Sequence, residues 1–173
     1  MRRLRLFDSE SVYRMLRDAD TALWADLPRM KQEGDAAGFI YWGNHSGEVD
    51  QYGLFSKEYG EFLGILQVML PKVTGTPSVR ELGYVMTHEA RGKGYMSEAV
   101  KAVCEDVFSD PSVNEVVLDI LPSNAPSLGV AGRCGFSFLQ QDPREKMTSN
   151  RGGEPMDRYV LTRVAYEDRR RAA

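Results

Sequence analysis

The segment from Ser78 to Leu121 constrains this chain most. It reads "SVRELGYVMT", then "HEARGKGYMSEAVKAVCEDVF", then "NEVVLDIL". The outer pieces are short apolar runs with the length and branching of strands. Between them, Met96, Ala99, Val100, Val103 and Val107 recur at the spacing of one helix face, which predicts a helix running to about Phe108. Strand, loop, helix and strand within about 40 residues predict a parallel crossover, right-handed like nearly all of its kind. The expected fold class is therefore a mixed α/β sheet with flanking helices.

The remaining segments fit around this unit. "RRLRLF" alternates charged and apolar residues and reads as a first strand. "DSESVYRMLRDADTALW" places Val12, Met15, Leu16, Ala19 and Leu23 on one side, so it reads as one amphipathic helix that ends before Pro28. "EGDAAGFIYWGN" is a weaker helical patch because of Gly34, Gly38 and Gly43. "QYGLFSK" and "EFLGILQVML" flank "EYG" as a hairpin, and Pro71 to Pro77 reads as a loop. "APSLGVAGRCGF" predicts a short helix ended by Gly135, and "DRYVLTRV" a last strand. The polar stretch "QQDPREKMTSNRGGEP" reads as a mobile loop.

At 173 residues with 42% hydrophobic content, the chain is expected to form one domain over 1–173, with a short basic tail from about 167. A net charge of −3 argues against a nucleic-acid partner. The basic runs at Arg2, Arg3 and Arg5 and at Arg169 to Arg171 read as solvated ends. No apolar run approaches the roughly 20 residues of a membrane span, so no membrane partner and a cytoplasmic location are expected. Cys104 and Cys134 lack neighbours at metal-ligand spacing and read as buried, reduced thiols. With only His45 and His88, there is little material for a histidine metal site or a Ser-His-Asp triad, and no metal is expected.

The glycine loop carries the chemistry. A helix start presents backbone N–H groups without intrahelical partners and a partial positive charge. Gly92 and Gly94 before it let a bulky anion approach, and Arg91 and Lys93 add positive charge. Phosphate-bearing loops of other kinds do not match: Lys93 is followed by Gly94 rather than Ser or Thr, and Ser97 stands where a dinucleotide fingerprint has its third glycine. Two readings stay open on these residues alone, an anion cradle and an ordinary tight turn.

The order of motifs resembles the GNAT N-acetyltransferase superfamily. "RGKGYM" is similar to its Arg/Gln-x-x-Gly-x-Gly/Ala signature, with Met96 where the signature prefers a small residue. "ELGYVMT" precedes it, "SEAV" follows in the helix, and "LPSNAPSLGVAGRCGF" is similar to the family's Asn-x-x-Ser/Ala, helix and Gly-Phe. The opening "RLRLFDSESV" and closing "MDRYVLTRVAYEDRR" resemble the ends of RimJ/RimL-type members. The match is tight from about residue 51 to 138 and looser outside. It implies a mostly antiparallel central sheet with splayed central strands, acetyl-CoA as co-substrate and a homodimer. It also implies an amine-bearing acceptor, either a protein or peptide N-terminus or a small molecule such as an antibiotic or polyamine. A CoA-binding module without turnover is the rival of a different class.

The resemblance assigns roles residue by residue. Met86 and Thr87 would pair with the pantetheine arm. Arg91, Gly92, Lys93, Gly94, Tyr95 and Met96 would hold the pyrophosphate, with Tyr95 serving through its backbone. Asn124 would contact the pantetheine; its other reading is a loop cap. Amine acetylation needs a proton taken from an ammonium of pKa near 10, hence a carboxylate or a relayed water. Asp119, inside "VVLDIL", matches the position of a glutamate base in RimI-like relatives but is one methylene shorter, so it would work through water; a surface carboxylate on a half-exposed strand is the alternative. Glu81 is the second candidate. The tyrosine acid of many members is replaced by Ala131, whereas Ser127 matches a serine that RimL-like relatives place near the CoA sulfur. Ser127 could instead cap the following helix.

Overall fold

A computed structural model describes residues 1–71, 76–142 and 155–172. Along the chain these form β1 (Arg2–Arg3), α1 (Ser9–Leu16), α2 (Ala19–Trp24), α3 (Glu33–His45), β2 (Val49–Phe55), β3 (Phe62–Met69) and β4 (Val79–Met86). They continue with α4 (Tyr95–Val107), β5 (Glu115–Ile120), α5 (Ala125–Cys134), β6 (Ser137–Asp142), β7 (Met156–Thr162) and α6 (Arg163–Ala172). The strands make one seven-stranded sheet among the described residues, in the order β1-β2-β3-β4-β5-β7-β6. β1–β2, β5–β7 and β6–β7 pair antiparallel, and β4–β5 is the predicted parallel crossover. That parallel ladder is short. Val79 to Glu81 pair with Glu115 to Val117, although β4 continues to Met86 and β5 to Ile120. Among the described residues the β4–β5 register ends at Glu81 and Val117.

The chain divides into two compact units. The first holds residues 1–68 and 83–95 among the described parts. Its core gathers Leu4, Val12, Leu16, Ile40, Ile65 and Val85 under α1, α3 and the sheet. α3 forms over 13 residues despite its glycines. At Gly43 the glycine is required, because a Cβ there would overlap the carboxamide of Gln51, which is fully buried. The hairpin of β2 and β3 closes with Ser56 N–H donating to Glu61 O at 2.8 Å.

Three expectations for this unit need correction. The single N-terminal helix is two helices. Asp18 leaves helical geometry at ψ 123°, and its carboxylate accepts from Thr21 N–H at 2.8 Å, so a new helix starts there. Ala19 and Leu23, expected on the buried side, are exposed as a result. The first strand is only Arg2–Arg3, because Asp8 accepts from Arg5 N–H and winds Leu6–Asp8 into a 3-10 turn. In the basic N-terminus Arg3 and Arg5 are exposed, whereas Arg2 is held: it grips Asp8 through two bonds of 2.7 and 2.8 Å and lies over the Phe55 ring.

The second unit holds residues 69–82 and 96 onward, outside the undescribed stretches. Val100, Val103, Phe108, Val116, Leu118 and Leu161 are buried in it. β6 takes up Gln140 to Asp142, the start of the predicted polar loop, and residues 143–154 of that loop lie outside the described residues. So do residues 72–75 of the loop between Pro71 and Pro77. The basic tail is α6. Arg170 lies 3.8 Å from Glu105, and the Arg169 guanidinium occupies the space a Cβ on Gly135 would need. No helix among the described residues is long and apolar enough to cross a membrane.

Candidate active site

The first unit carries the glycine loop. Past Met86, residues 88–90 make one 3-10 turn in which Ala90 N–H donates to Thr87 O at 3.1 Å and Arg91 N–H to His88 O at 3.3 Å. Gly92 and Gly94 then adopt φ of 75° and 85°, the left-handed region that disfavours a Cβ, and α4 starts at the next residue. Space around both is open: a Cβ at either would meet nothing within 4 Å. Backbone geometry, not crowding, therefore demands glycine here. Among the described residues no backbone carbonyl outside α4 accepts from the N–H groups of residues 92 to 97. Lys93 and Tyr95 are exposed beside them. Open N–H groups, a helix start and a solvated ammonium fit a pyrophosphate.

Arg91 is placed differently from the expectation. Its guanidinium points back into the unit: Nη2 donates to Thr21 Oγ1 at 2.9 Å, and Nε and Nη2 both donate to Met86 O at 3.3 Å. At the expected pantetheine position, Thr87 N–H is committed to Leu63 O at 2.9 Å. Of these two residues, Met86 is buried, and its carbonyl is the one engaged by Arg91.

The second unit carries the remaining predicted residues. Asp119 stands opposite Arg158 in the β5–β7 register, and both carboxylate oxygens accept from that guanidinium at 2.8 Å. The two side chains are 2% and 8% exposed, which excludes the reading of Asp119 as a surface carboxylate. Glu81 is buried on β4, where its register partner is Val117. Asn124 caps α5, its Oδ1 accepting from Ser127 N–H at 3.2 Å. Ser127 is therefore not the cap, and no partner for its hydroxyl is found among the described residues. Ala131 is fully buried on the inner side of α5.

Sequence reasoning missed Arg158 and Thr21. A signal for Arg158 was present, since it shares a strand face with Met156 and Val160, both apolar and buried. The thiols are buried and unpaired; burial first, and the neighbouring Cys134 second, push Cys104 up to about 12. Burial also raises Cys134. No cluster of three or more metal-ligating side chains occurs among the described residues.

A mixed sheet with a glycine loop leading into a central helix is the arrangement that the resemblance implies, and the comparisons agree with that resemblance. The acetyltransferase (GNAT) domain matches residues 1–137, so the chain belongs to the GNAT acetyltransferase family and is an acyltransferase. The chain is 22% identical over 140 residues to an uncharacterized N-acetyltransferase, p20, of Bacillus licheniformis, covering 79% of this chain and 77% of the relative. It is 25% identical over 89 residues to a probable N-acetyltransferase, YjcK, of Bacillus subtilis, covering 51% and 49%. Among solved structures, aminoglycoside acetyltransferase AAC(6')-Ib with coenzyme A matches at TM-score 0.78 and 24% identity, covering 98% and 97%. Spermidine N-acetyltransferase from Vibrio cholerae with CoA and spermine matches at TM-score 0.78 and 12% identity, covering 96% of each chain. At these identities the structural likeness speaks for the fold.

Proposed function

We propose that the chain transfers the acetyl group of acetyl-CoA to a primary amine by direct attack in a ternary complex, the whole of residues 1–173 acting as one transferase domain. The observation that carries this is the Gly92–Gly94 loop, open on its N–H side and running straight into α4. The N–H groups of residues 92 to 96 and the Lys93 ammonium hold the pyrophosphate. Met86 and Thr87 are assigned to the pantetheine arm, and Asn124 is assigned a contact with it, as the family resemblance implies. The Ser127 hydroxyl hydrogen-bonds the CoA sulfur and helps relay a solvent proton to the departing thiolate, which is already a fair leaving group at a pKa near 8.5. We assign the proton-accepting step to Glu81, through water, and assign Asp119 to its pair with Arg158, since both Asp119 oxygens are engaged there. Two buried free thiols suit a reducing cytoplasm.

The acceptor is a primary amine, either a protein N-terminus, as in RimJ/RimL-type members, or a small molecule. The structural neighbours that act on aminoglycosides and spermidine favour the small-molecule arm. The test is acetyl-CoA-dependent release of CoA thiol with a panel of N-terminal peptides, aminoglycosides, polyamines and amino acids. At least one class is expected to raise release well above the acceptor-free rate. Acetyl-CoA binding without acceptor-dependent release from any class would replace the enzyme reading with a binding module.

A further inference from the structure

We propose that Arg91 is a positioning residue that couples the glycine loop to α2, so that a pyrophosphate bound at the loop orders residues 18–24. The inference rests on the acetyl-CoA reading above. Arg91 is the residue before Gly92, so any adjustment of the loop moves the base of its side chain. Its backbone N–H is fixed by His88 O, and its guanidinium reaches Met86 O at the end of β4 and Thr21 Oγ1 on α2. Thr21 is only 4% exposed, 70 residues away in sequence, and is itself bound to Asp18. Thr21 N–H donates to the Asp18 carboxylate at 2.8 Å. The Thr21 side chain and then its N–H, followed by the charge of Arg91, hold the Asp18 carboxyl below its ordinary range.

The chain of bonds runs from the loop to the cap that starts α2. That helix has six residues, far too few to persist without anchors. One anchor is the Asp18 cap, and the other is Arg91. Arg91 is suited to this because a planar fork can bond a carbonyl and a hydroxyl at once, which an ammonium on a single point does poorly. Its role in donor binding is accordingly indirect, and α2, which exposes Leu23 and Trp24 to solvent, is the element it governs.

The experiment is hydrogen exchange read by mass spectrometry, with and without acetyl-CoA, on the wild type, Thr21→Val, Thr21→Ser and Arg91→Lys. In the wild type, acetyl-CoA is expected to slow exchange both at residues 92–97 and at 19–25. Thr21→Val and Arg91→Lys should keep the first protection and lose the second, and Thr21→Ser should restore it. Protection at 92–97 without protection at 19–25 in the wild type overturns the coupling, as does protection at 19–25 that survives both variants. No protection at 92–97 in the wild type overturns the acetyl-CoA site itself, and the coupling falls with it. Should Thr21→Val not fold, Arg91→Lys alone decides.

Discussion

Replacing Asp119 with leucine separates the two roles a carboxylate in β5 could have. In the native chain its oxygens accept two 2.8 Å bonds from Arg158, with 2% and 8% of the side chains exposed. Asp119→Leu removes the carboxylate that accepts both of these Arg158 bonds, and breaking comparable buried pairs costs about 3–5 kcal/mol. For a chain of this size each kcal/mol moves the midpoint by about 2–4 °C, so Tm should fall by roughly 6–20 °C. Replacing both partners, Asp119→Leu with Arg158→Met, removes the guanidinium as well, and exchange of a buried pair for apolar groups is often nearly neutral. The double variant should therefore recover most of the loss in urea unfolding. Activity then discriminates: a lost general base costs about 10²–10⁴ in rate, whereas a structural pair leaves the refolded double variant within about tenfold of wild type. A double variant as stable as wild type but slower by more than a hundredfold at every pH would refute the assignment and restore Asp119 as the base.

Two further outcomes follow from the same geometry. Ser127→Ala should lower kcat by several-fold while the acetyl-CoA KM stays within twofold, measured by steady-state thiol release; unchanged kcat would discard the hydroxyl as proton relay. Cys104 is raised from 9.0 to about 12, so between those pH values the unfolded chain has lost a proton that the folded chain retains. Stability should be unaffected below pH 9 on this account and fall by about 1.4 kcal/mol per pH unit above it. Urea midpoints across pH 8–11 for wild type and Cys104→Ala check this, the variant being expected to lose the Cys104 part of the slope and keep the part that the raised Cys134 supplies.

The central unit was legible because its signals are local. Glycines that must adopt positive φ, an apolar stripe at helical spacing and a β-branched strand each declare themselves within a dozen residues, and β4, α4 and β5 lie where those signals put them. β6 and α6 gave none. β6 has no alternating pattern, since residues 137–140 are all exposed at the sheet edge, and α6 buries no residue. The break between α1 and α2 turns on one carboxylate choosing a cap over a helix, a competition that the apolar stripe does not register. In the site, the loop was readable but the orientation of Arg91 was not, because its partner Thr21 is remote in sequence. The Asp119–Arg158 pair is likewise set by the β5–β7 register rather than by spacing.

The claim on which the rest stands is that the Gly92–Gly94 loop holds the pyrophosphate of the donor. Calorimetric titration of wild type and Gly94→Val with acetyl-CoA and with acetyl-pantetheine, which lacks the pyrophosphate, tests it directly. A Cβ-branched residue at φ 85° must distort the loop, at about 1–2 kcal/mol or more, and acetyl-CoA affinity should fall at least tenfold. Acetyl-pantetheine should bind wild type and variant alike. Equal acetyl-CoA affinity for the two proteins, with the loop shown to be perturbed, would contradict the account.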